Sequence, residues 1–561
     1  MLIFDKSDDR LSGHSVPVLA QWDMGWWRGA VIYQIYLRSF SDSNGDGTGD
    51  LPGVIARLDY LADLGVDAVW ISPFFVSPMK DFGYDVSDYR QVDPIFGTLD
   101  DFDQLVDQAH RLGIKVIIDQ VLSHTSDQHP WFQASRQDRT NDKSEWYVWA
   151  DPKSDGSPPN NWLSIFGGPA WQWEPRREQY YLHNFLVSQP DLNFHHPALV
   201  AQMLEEVEFW LKRGVDGLRL DAINFCFHDP LLRNNPPKPV EQRKGRGYTA
   251  DNPYAYQFHI YDNTRPENLG FLESLRCLVD RYPPVITLGE VSSEDPLATT
   301  IQYTSGSNRL HMAYNFELLV DTFSTAHIRN VIETFEANAV DCWPCWAIGN
   351  HDVARVATRW WGSNASVPRA RLLNAFLFSL KGTVCSYQGE ELGLQEADLP
   401  RAELQDPYGI AFWPAFKGRD GCRTPIPWTE QDVACGFSSG KPWLPIPAQH
   451  RASAVSRQLA DQNSVLNGYR TFLSWRRQHP ALRHGGIRFI DSPADTLCFI
   501  RDHAGEALLA CFNFSSNTCS VPLPGLGRLE AQGGHGFRGC RLSQGFVEIP
   551  ALGAFFAYLN D

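Results

Sequence analysis

Four short segments of the sequence place charged side chains where a run of apolar residues ends. They are Asp119–His124, Gly217–Asp221, Leu288–Glu290 and Asn350–Asp352. An acid directly after an apolar strand is costly if it points into the core, but at a strand end it can face a cleft. For one such segment a surface acid or a salt bridge would be the simpler explanation. Four of them together indicate a cleft lined by carboxylates.

The spacing of Arg219 and Asp221 assigns roles to two of these acids. Residues two apart on a strand face the same side, and a guanidinium beside a carboxylate lowers its pKa and keeps it ionised, as a nucleophile requires. A general acid must instead be held protonated, by burial or by nearby like charges. Glu290, with Asp221 and Asp352 as expected neighbours, is the candidate. Such a pair hydrolyses glycosides with retention when the carboxyl groups lie roughly 5–5.5 Å apart.

Alternating β-runs and amphipathic helices would have to position these residues, and they predict a parallel α/β fold. One predicted helix has Val54, Leu58, Leu61 and Leu64 on one face, and another has Phe102, Leu105, Val106, Ala109 and Leu112. Eight strands of this kind fit a closed TIM (β/α)8 barrel. The predicted strands are Val31–Tyr36, Ala68–Ser72, Lys115–Asp119, Gly217–Asp221, Val285–Glu290, His311–Phe316, Cys345–Asn350 and Thr383–Gln388.

The same pattern divides the chain into domains. We expect a barrel that is interrupted after its third strand by a small loop-rich domain and after its fourth strand by a second excursion. A C-terminal all-β domain of the sandwich type follows, because alternating β-runs replace the helical pattern there. The predicted bounds are 1–25 for an N-terminal extension, 26–124 and 184–483 for the barrel, 125–183 for the insertion, 227–270 for the excursion and 484–561 for the β domain.

The composition of the chain limits the kinds of molecule that it is expected to bind. The net charge of −17 would repel nucleic acid and anionic membranes, whereas a neutral substrate is not penalised. No apolar run reaches the roughly 18 residues needed to span a bilayer, and the N-terminus does not resemble a signal peptide. The 11 cysteines are scattered, with no metal-type pairing. They are typical of reduced thiols, and we expect a cytoplasmic protein.

These segments resemble the four sequence regions of the α-amylase family, also called glycoside hydrolase family thirteen, and the resemblance extends from Trp26 to the C-terminus. It implies Asp221 as nucleophile, Glu290 as acid/base and Asp352 as the third carboxylate, which binds sugar hydroxyls. One departure is Ser123, where the family usually has Asn. The resemblance also implies a glucose site lined by His124, Arg219 and His351.

Further motifs are similar to the exo-acting α-glucosidase branch of that family. In Asp81-Phe82-Gly83-Tyr84-Asp85 the resemblance places Asp81 and Tyr84 beside the glucose, and Gly418–Pro425 supplies Arg419. In that branch Asp81 and Arg419 would pair across the pocket floor. Such a pair closes the pocket at one end, so that only the end of a sugar chain fits. Phe166 is expected near the pocket by the same resemblance. The pattern is most similar to oligo-1,6-glucosidases, maltases and glucosyl-transferring glucosidases.

Ala222, directly after the expected nucleophile, is the residue that relates to the preferred glucosidic linkage. In the resembled branch, α-1,6-preferring members tend to carry Val at this position, and α-1,4-preferring members carry Ala or Thr. Val would place two methyl groups beside the scissile bond and fix χ1, whereas Ala leaves that space open. The resemblance therefore implies a preference for α-1,4 linkages.

An Asp-rich loop carries oxygen-bearing side chains at alternate positions, like the start of a calcium-binding loop. The twelfth position is Gly53, so the loop is not an EF-hand. From spacing alone, an ion site and a solvated turn remain equally open. The family resemblance implies one structural Ca²⁺ or Mg²⁺ and no organic cofactor. The expected ligands are Asp42, Asn44, Asp46, Thr48 and Asp50.

Three functions compete at this point. The first is an exo-acting α-glucosidase that hydrolyses terminal α-1,4-linked glucose from short oligosaccharides, maltose-like or possibly sucrose, and transfers α-glucosyl groups to hydroxyl acceptors. The second is an oligo-1,6-glucosidase or a disaccharide-rearranging enzyme; sucrose isomerases carry an Arg-Leu-Asp-Arg-Asp type segment that this sequence lacks. The third, a transporter heavy chain, would need a membrane helix and lack a full catalytic set. The preferred acceptor, and whether the protein is a monomer or a homodimer, stay open.

Overall fold

The centre of the computed structural model, which describes residues 24–243, 248 and 251–560, is a ring of eight parallel strands. Each strand overlaps one of the eight predicted β-runs, and the bounds differ by a few residues at most. We label the barrel strands β1 (Val31–Ile35), β2 (Ala68–Ile71), β3 (Lys115–Val121), β4 (Gly217–Asp221), β5 (Ile286–Val291), β6 (Met312–Asn315), β7 (Cys345–Ala347) and β8 (Thr383–Tyr387).

The strand order confirms the predicted barrel. Hydrogen-bonded neighbours run β6-β5-β4-β3-β2-β1-β8-β7, and all these pairs are parallel. Residues of β6 and β7, at the two ends of this order, approach within 8 Å between Cα atoms, so the ring closes. Gly217 leaves room inside the barrel, because a Cβ there would lie 3.0 Å from the side chains of Ile117 and Ile286.

Some of the α-helices surround the barrel, and others lie in the excursions and connecting segments. The α-helices are Leu51–Ile55, Leu58–Leu64, Leu99–Arg111, Pro130–Ser135, Pro197–Leu211, Asn268–Val279, Pro296–Thr304, Thr325–Asn338, Val356–Trp361, Val367–Ser379, Pro407–Phe412, Ala448–Arg451, Val455–Ala460, Val465–Arg477 and Pro480–His484.

Two details of the helix prediction are wrong. The buried face formed by Val54, Leu58, Leu61 and Leu64 is shared by two short helices with a break between them. Leu112 is 40% exposed, because the helix that starts at a Thr98–Asp101 capping box ends at Arg111, before Leu112 could join its buried face.

Two excursions leave the carboxyl ends of β3 and β4 and contact each other. The first contains the helix Pro130–Ser135 and an antiparallel sheet of Trp149–Ala150, Gln179–Leu182 and Trp171–Glu174. The second contains 3₁₀ turns at Val240–Gln242 and Pro253–Tyr256. Asn161 and Asn235 join them through two hydrogen bonds of 2.8 and 2.9 Å. Most of the predicted N-terminal extension, residues 1–23, lies outside the described residues.

The C-terminal β domain consists of two sheets, as predicted. Five strands pair in the order Gly486–Ile490, Thr496–His503, Glu506–Asn513, Ala554–Asn560 and Arg528–Ala531, and three in the order Cys519–Pro522, Phe546–Ile549 and Arg541–Ser543. Because side chains alternate along a strand, Cys498 and Ile500 face the small sheet, whereas Leu497 and Phe499 belong to the core shared with the barrel helices.

Two expectations drawn from composition can be compared with the structure. All eleven cysteines are free thiols. Among the described residues, no helix combines the length and the apolar character that crossing a membrane requires.

A buried arginine fastens the β domain to the barrel. The Arg501 guanidinium donates to the carbonyl oxygens of Ser379 (2.6 Å), Gly485 and Gly486 (2.9 Å each) and is fully buried. Burial lowers its pKa to about 9. Three carbonyl groups at the end of a barrel helix and the start of the β domain therefore depend on one side chain.

We predict that Arg501→Ala lowers the free energy of unfolding by roughly 3–5 kcal/mol, because it leaves several buried carbonyl groups unpaired. Thermal or denaturant unfolding measures the loss. The exposed Arg528→Ala, in the same domain, is the control and should change stability little. Equal stability of Arg501→Ala and the unmodified protein would contradict this role.

Candidate active site

A pocket opens at the carboxyl ends of the barrel strands. Nine predicted site residues line it: Asp81, Tyr84, His124, Phe166, Asp221, Ala222, Glu290, Asp352 and Arg419. The remaining two predicted catalytic or glucose-binding residues, Arg219 and His351, lie behind this lining, with 0% and 1% of their surfaces exposed.

The Arg219 guanidinium is the centre of one charge cluster. It lies 2.8 Å from Asp119 Oδ1, 2.7 Å from Asp221 Oδ1 and 2.6 Å from Glu290 Oε2. It also donates to the hydroxyl of Tyr314 at 2.8 Å. Side chains from β3, β4, β5 and β6 thus converge on one buried cation. The predicted contact between Arg219 and Asp221 is present.

Arg219 lowers the pKa of Asp221 as predicted, but the net pKa of this carboxyl moves in the opposite direction. Burial raises the pKa of the Asp221 carboxyl well above its usual range, and the charges of Glu290 and Asp119 raise it further. Arg219 acts in the opposite direction but serves three carboxylates at once. A nucleophile must be ionised, and the 2.7 Å contact with Arg219 is what favours the ionised form of Asp221 against these effects.

Glu290 accepts hydrogen bonds on both carboxyl oxygens. Tyr314 donates its hydroxyl proton to Oε1 at 2.9 Å, and the backbone N–H of Ala222 donates to Oε2 at 3.2 Å. Ala222 has a left-handed backbone with φ 40° and ψ 43°, a conformation that is uncommon for residues other than glycine. The residue after Asp221 therefore contacts the second candidate catalytic carboxylate.

Asp352 lies in a second charge cluster. Although burial opposes it, His351, Arg419 and Arg423 hold the pKa of Asp352 well below its usual range. Its Oδ1 accepts from Arg423 at 2.9 Å and from Arg419 at 3.2 Å. Burial lowers the pKa of His351 to about 3, so the ring is neutral near pH 7 and the two arginines supply the positive charge. Gln34 donates to His351 Nδ1, which leaves the proton on Nε2, 3.2 Å from Asp352.

The predicted ion pair between Asp81 and Arg419 is present. Arg419 Nη2 lies 2.8 Å from Asp81 Oδ1 and 2.7 Å from Asp406 Oδ1. All three side chains are buried. Because Arg419 also reaches Asp352, ion pairs run continuously along this part of the pocket wall.

His124 is held by its neighbour Ser123. The Ser123 hydroxyl lies 2.9 Å from His124 Nδ1, and His124 Nε2 donates to the carbonyl of Tyr84 at 2.9 Å. Burial lowers the pKa of His124 to about 4, so the ring is neutral. Because a carbonyl can only accept, the Tyr84 contact places the ring proton on Nε2, and the serine that departs from the family pattern donates to Nδ1.

Aromatic side chains form the rest of the wall. The rings of Phe166 and Tyr408 lie 5.2 Å apart between centroids, those of His124 and Phe185 4.9 Å, and those of Phe185 and Phe225 5.3 Å. Carboxylates on one side and aromatic faces on the other are the surfaces that a sugar ring requires: acceptors for its hydroxyls and apolar surface for its C–H groups.

Comparison with known proteins matches residues 34–485 to the model of the α-amylase catalytic domain. The chain belongs to the α-amylase family. It is therefore a glycoside hydrolase, and the resemblance stated from the sequence regions is confirmed.

Several relatives within the family are similar over nearly the whole chain. A probable α-glucosidase from Rhizobium meliloti (strain 1021) is 55% identical over 540 residues, which cover 96% of this chain and 98% of that protein. The crystal structure of an α-glucosyl transfer enzyme, XgtA, is similar with a TM-score of 0.94 at 61% identity, covering 95% and 99% of the two chains. The trehalulose synthase MutB from Pseudomonas mesoacidophila MX-45 has a TM-score of 0.85 at 32% identity, with coverage of 95% and 99%.

The Asp-rich loop forms a series of tight turns away from the pocket lining. Asp42 accepts from the N–H groups of Asn44, Gly45 and Gly47, and Asp46 from that of Thr48. Asp50 instead caps the helix Leu51–Ile55 and bonds Ser43. In the part of the chain that the structure describes, no three His, Cys, Asp or Glu side chains form a metal-type group. The predicted side chains lie together in this loop, and their carboxylate and amide oxygens are donors suited to Ca²⁺ or Mg²⁺.

The sequence patterns did not identify several residues of the two clusters. Asp119 begins one of the four charged segments without a role of its own, and no motif marks Asp406 or Tyr314. Asp406 precedes Pro407, a signal for a helix start, which the structure confirms. Nothing in the local sequence signals its ion pair with Arg419. Tyr314 lies within an uncharged β-run, where a buried aromatic is the ordinary expectation.

Proposed function

We propose that this protein is a retaining, exo-acting α-glucosidase that hydrolyses terminal α-1,4-linked glucose from short oligosaccharides and transfers α-glucosyl groups to hydroxyl acceptors. The observation that carries the proposal is the arrangement of Asp221 and Glu290 around Arg219, in a pocket that the Asp81–Arg419–Asp406 ion pairs close on one side.

In the first step Asp221 attacks C1 of the terminal glucose. The bond from C1 to the glycosidic oxygen breaks with its electron pair on that oxygen, which takes a proton from Glu290. A glucosyl ester on Asp221 forms, and the remaining sugar leaves. Asp352, kept ionised by Arg419 and Arg423, accepts hydrogen bonds from sugar hydroxyls.

In the second step Glu290, now ionised, takes a proton from water or from an acceptor hydroxyl. The oxygen attacks C1, the ester bond to Asp221 breaks, and α-configured product forms because C1 has been inverted twice. Hydrolysis and transfer therefore share one intermediate, and the choice between them depends on what occupies the outer pocket.

Two features support transfer as well as hydrolysis. The pocket lining includes Phe166, Phe185, Phe225 and Tyr408, whose apolar surfaces favour a bound acceptor over loosely held water. The relative with 61% identity is an α-glucosyl transfer enzyme. A dedicated rearranging activity has weaker support, because the trehalulose synthase is only 32% identical and the sucrose isomerase loop segment is not found.

The carboxylate roles predict the effects of two substitutions. Glu290→Gln should reduce activity on maltose by roughly 10²–10⁴-fold, the contribution of positioned acid–base assistance, and Asp221→Asn should abolish it almost completely. Folding should persist, as judged by circular dichroism. The first glucose released by the unmodified enzyme should be the α-anomer.

The exposed Asp280→Asn and Glu333→Gln, on helices outside the barrel, are the matched controls and should retain activity. Initial release of β-glucose, or full activity of either pocket variant, would contradict the assigned roles.

Closure of the pocket by the ion pairs of Arg419 predicts exo action. Activity per glycosidic bond should fall steeply from maltose and maltotriose to soluble starch, and a blocked non-reducing end should protect an oligosaccharide. Reducing-sugar assays and product chromatography measure both. A fast loss of iodine colour with starch, which reports internal cleavage, would show that the pocket is open at both ends.

We also propose that Asp42, Asn44 and Asp46 hold a structural Ca²⁺ or Mg²⁺, with Thr48 contributing its backbone carbonyl. Such an ion would neutralise carboxylates of the loop between β1 and the helix Leu51–Ile55 and brace it. The support is the oxygen-rich donor set and the family resemblance. The carboxylate of Asp50 would contribute beside its bonds to Ser43 and Gly53, as that of Asp42 would beside its bonds to Gly45 and Gly47.

An ion at about 100 times its dissociation constant contributes roughly 2.7 kcal/mol to the folded state. A chelator should therefore lower the melting temperature by a few degrees while low-temperature activity largely survives. Asp42→Asn should melt at the chelated temperature and respond no further to chelator. Loss of activity on chelation without any change in melting would argue against a structural ion.

Ala222 predicts the linkage preference. We expect higher kcat/KM for maltose than for isomaltose, and Ala222→Val should shift the ratio toward isomaltose, within the roughly 10–200-fold that one small group in a pocket can contribute. Val also strains the left-handed backbone at this position.

Ala222→Thr is the matched control for the linkage experiment, because Thr has nearly the shape of Val and strains the backbone in the same way. Because α-1,4-preferring members of the branch carry Thr as well as Ala, Ala222→Thr should keep the preference for maltose, and only the second methyl group of Val should shift the ratio. An unmodified enzyme that is already faster on isomaltose, or a Val variant with an unchanged ratio, would contradict the prediction.

A further inference from the structure

Tyr314 is the side chain of the first charge cluster that no sequence motif indicated. It lies on β6, is 1% exposed, and its ring lies beside that of Trp70. Its hydroxyl lies 2.8 Å from Arg219 Nη2 and 2.9 Å from Glu290 Oε1. It does not line the pocket. Any part it plays in the reaction must therefore act through the groups that it contacts.

The direction of its hydrogen bonds follows from chemistry. A guanidinium has only donors, so the Tyr314 oxygen must accept from Arg219. Its one proton is then directed to Glu290 Oε1. Burial raises the pKa of the Tyr314 hydroxyl well above its usual range, so the hydroxyl stays protonated and remains a donor at every working pH.

The other contacts of Glu290 do not replace this one. Arg219 Nη2 and the N–H of Ala222 both approach Oε2, at 2.6 and 3.2 Å. The last torsion of a glutamate side chain is broad, so anchors on a single oxygen leave the carboxyl group free to turn about it. Tyr314 is the only protein donor to Oε1 that the described residues provide, and it fixes the plane of the carboxyl group.

We propose that Tyr314 is a positioning residue that holds the Glu290 carboxyl group in the orientation needed to deliver its proton to the leaving group. This inference rests on the proposed function, in which Glu290 is the acid/base. It adds a specific consequence, because a residue that orients the acid matters only for substrates whose leaving group needs a proton.

The test compares two substrates with Tyr314→Phe, which removes the hydroxyl and keeps the ring. Maltose leaves through a sugar hydroxyl and needs protonation, whereas α-glucosyl fluoride leaves as fluoride and does not. We expect kcat/KM for maltose to fall roughly 10- to 100-fold, part of the whole contribution of acid catalysis, while kcat/KM for the fluoride changes little. The ratio is measured on one preparation, so it does not depend on the folded fraction.

A role limited to supporting Arg219 or the fold would reduce both substrates alike, and that result would overturn the proposal. An unchanged maltose rate would overturn it too. Tyr303→Phe, which removes another buried hydroxyl that contacts Asn268, is the control and should leave the ratio unchanged. If Tyr314→Phe does not fold, Tyr314→Met, whose flexible chain can fill the space, takes its place.

Glu290→Gln separates this proposal from the proposed function. It should lose far more activity on maltose than on the fluoride. If Glu290→Gln loses both equally, the acid role of Glu290 fails and the Tyr314 proposal with it. If Glu290→Gln shows the selective loss and Tyr314→Phe does not, only the positioning role is overturned.

Discussion

The site depends on one buried cation. Arg219 is fully buried and contacts Asp119, Asp221 and Glu290, which come from three successive barrel strands. Placing several carboxylates in a buried cluster is costly, and it is tolerated only where good hydrogen bonds compensate. A planar guanidinium can serve three partners at once, which a lysine ammonium on a single flexible stem cannot do with the same geometry. The barrel brings the strand ends together, and this cation allows their acids to remain there.

A second cluster around Arg419 and Arg423 has the opposite electrostatic outcome. Burial raises the pKa of both acids, but at Asp352 the contacts with His351, Arg419 and Arg423 outweigh it and the pKa falls, whereas at Asp221 burial outweighs the single arginine and the pKa stays raised. Carboxylates of the same type in one pocket are thus prepared for different tasks. A permanently ionised Asp352 suits the binding of sugar hydroxyls.

The sequence predicted those features of the fold and site that depend on the local pattern of apolar and charged residues. Apolar runs gave the eight strands, and the two-residue spacing gave the Arg219–Asp221 contact. It could not give the direction of the Asp221 pKa, because that depends on burial and on how many acids share one arginine. Asp406 and Tyr314 were missed for a related reason: each acts through a partner distant in sequence. Leu112 shows the same limit at a helix end. The helix stops at Arg111, one residue before Leu112, so the Leu112 side chain is exposed instead of buried. Family resemblance, rather than spacing, supplied the pairing of Asp81 with Arg419.

The central claim is that Asp221 forms a covalent bond to glucose. 5-Fluoro-α-glucosyl fluoride tests it directly, because the ring fluorine slows the breakdown of a glucosyl-enzyme after fluoride has left. Mass spectrometry of the trapped protein, followed by peptide mapping, should find one fluoroglucosyl group, on the peptide that contains Asp221 and on that side chain. A label on another residue, or no label although the reagent inhibits at the active site, would contradict the account.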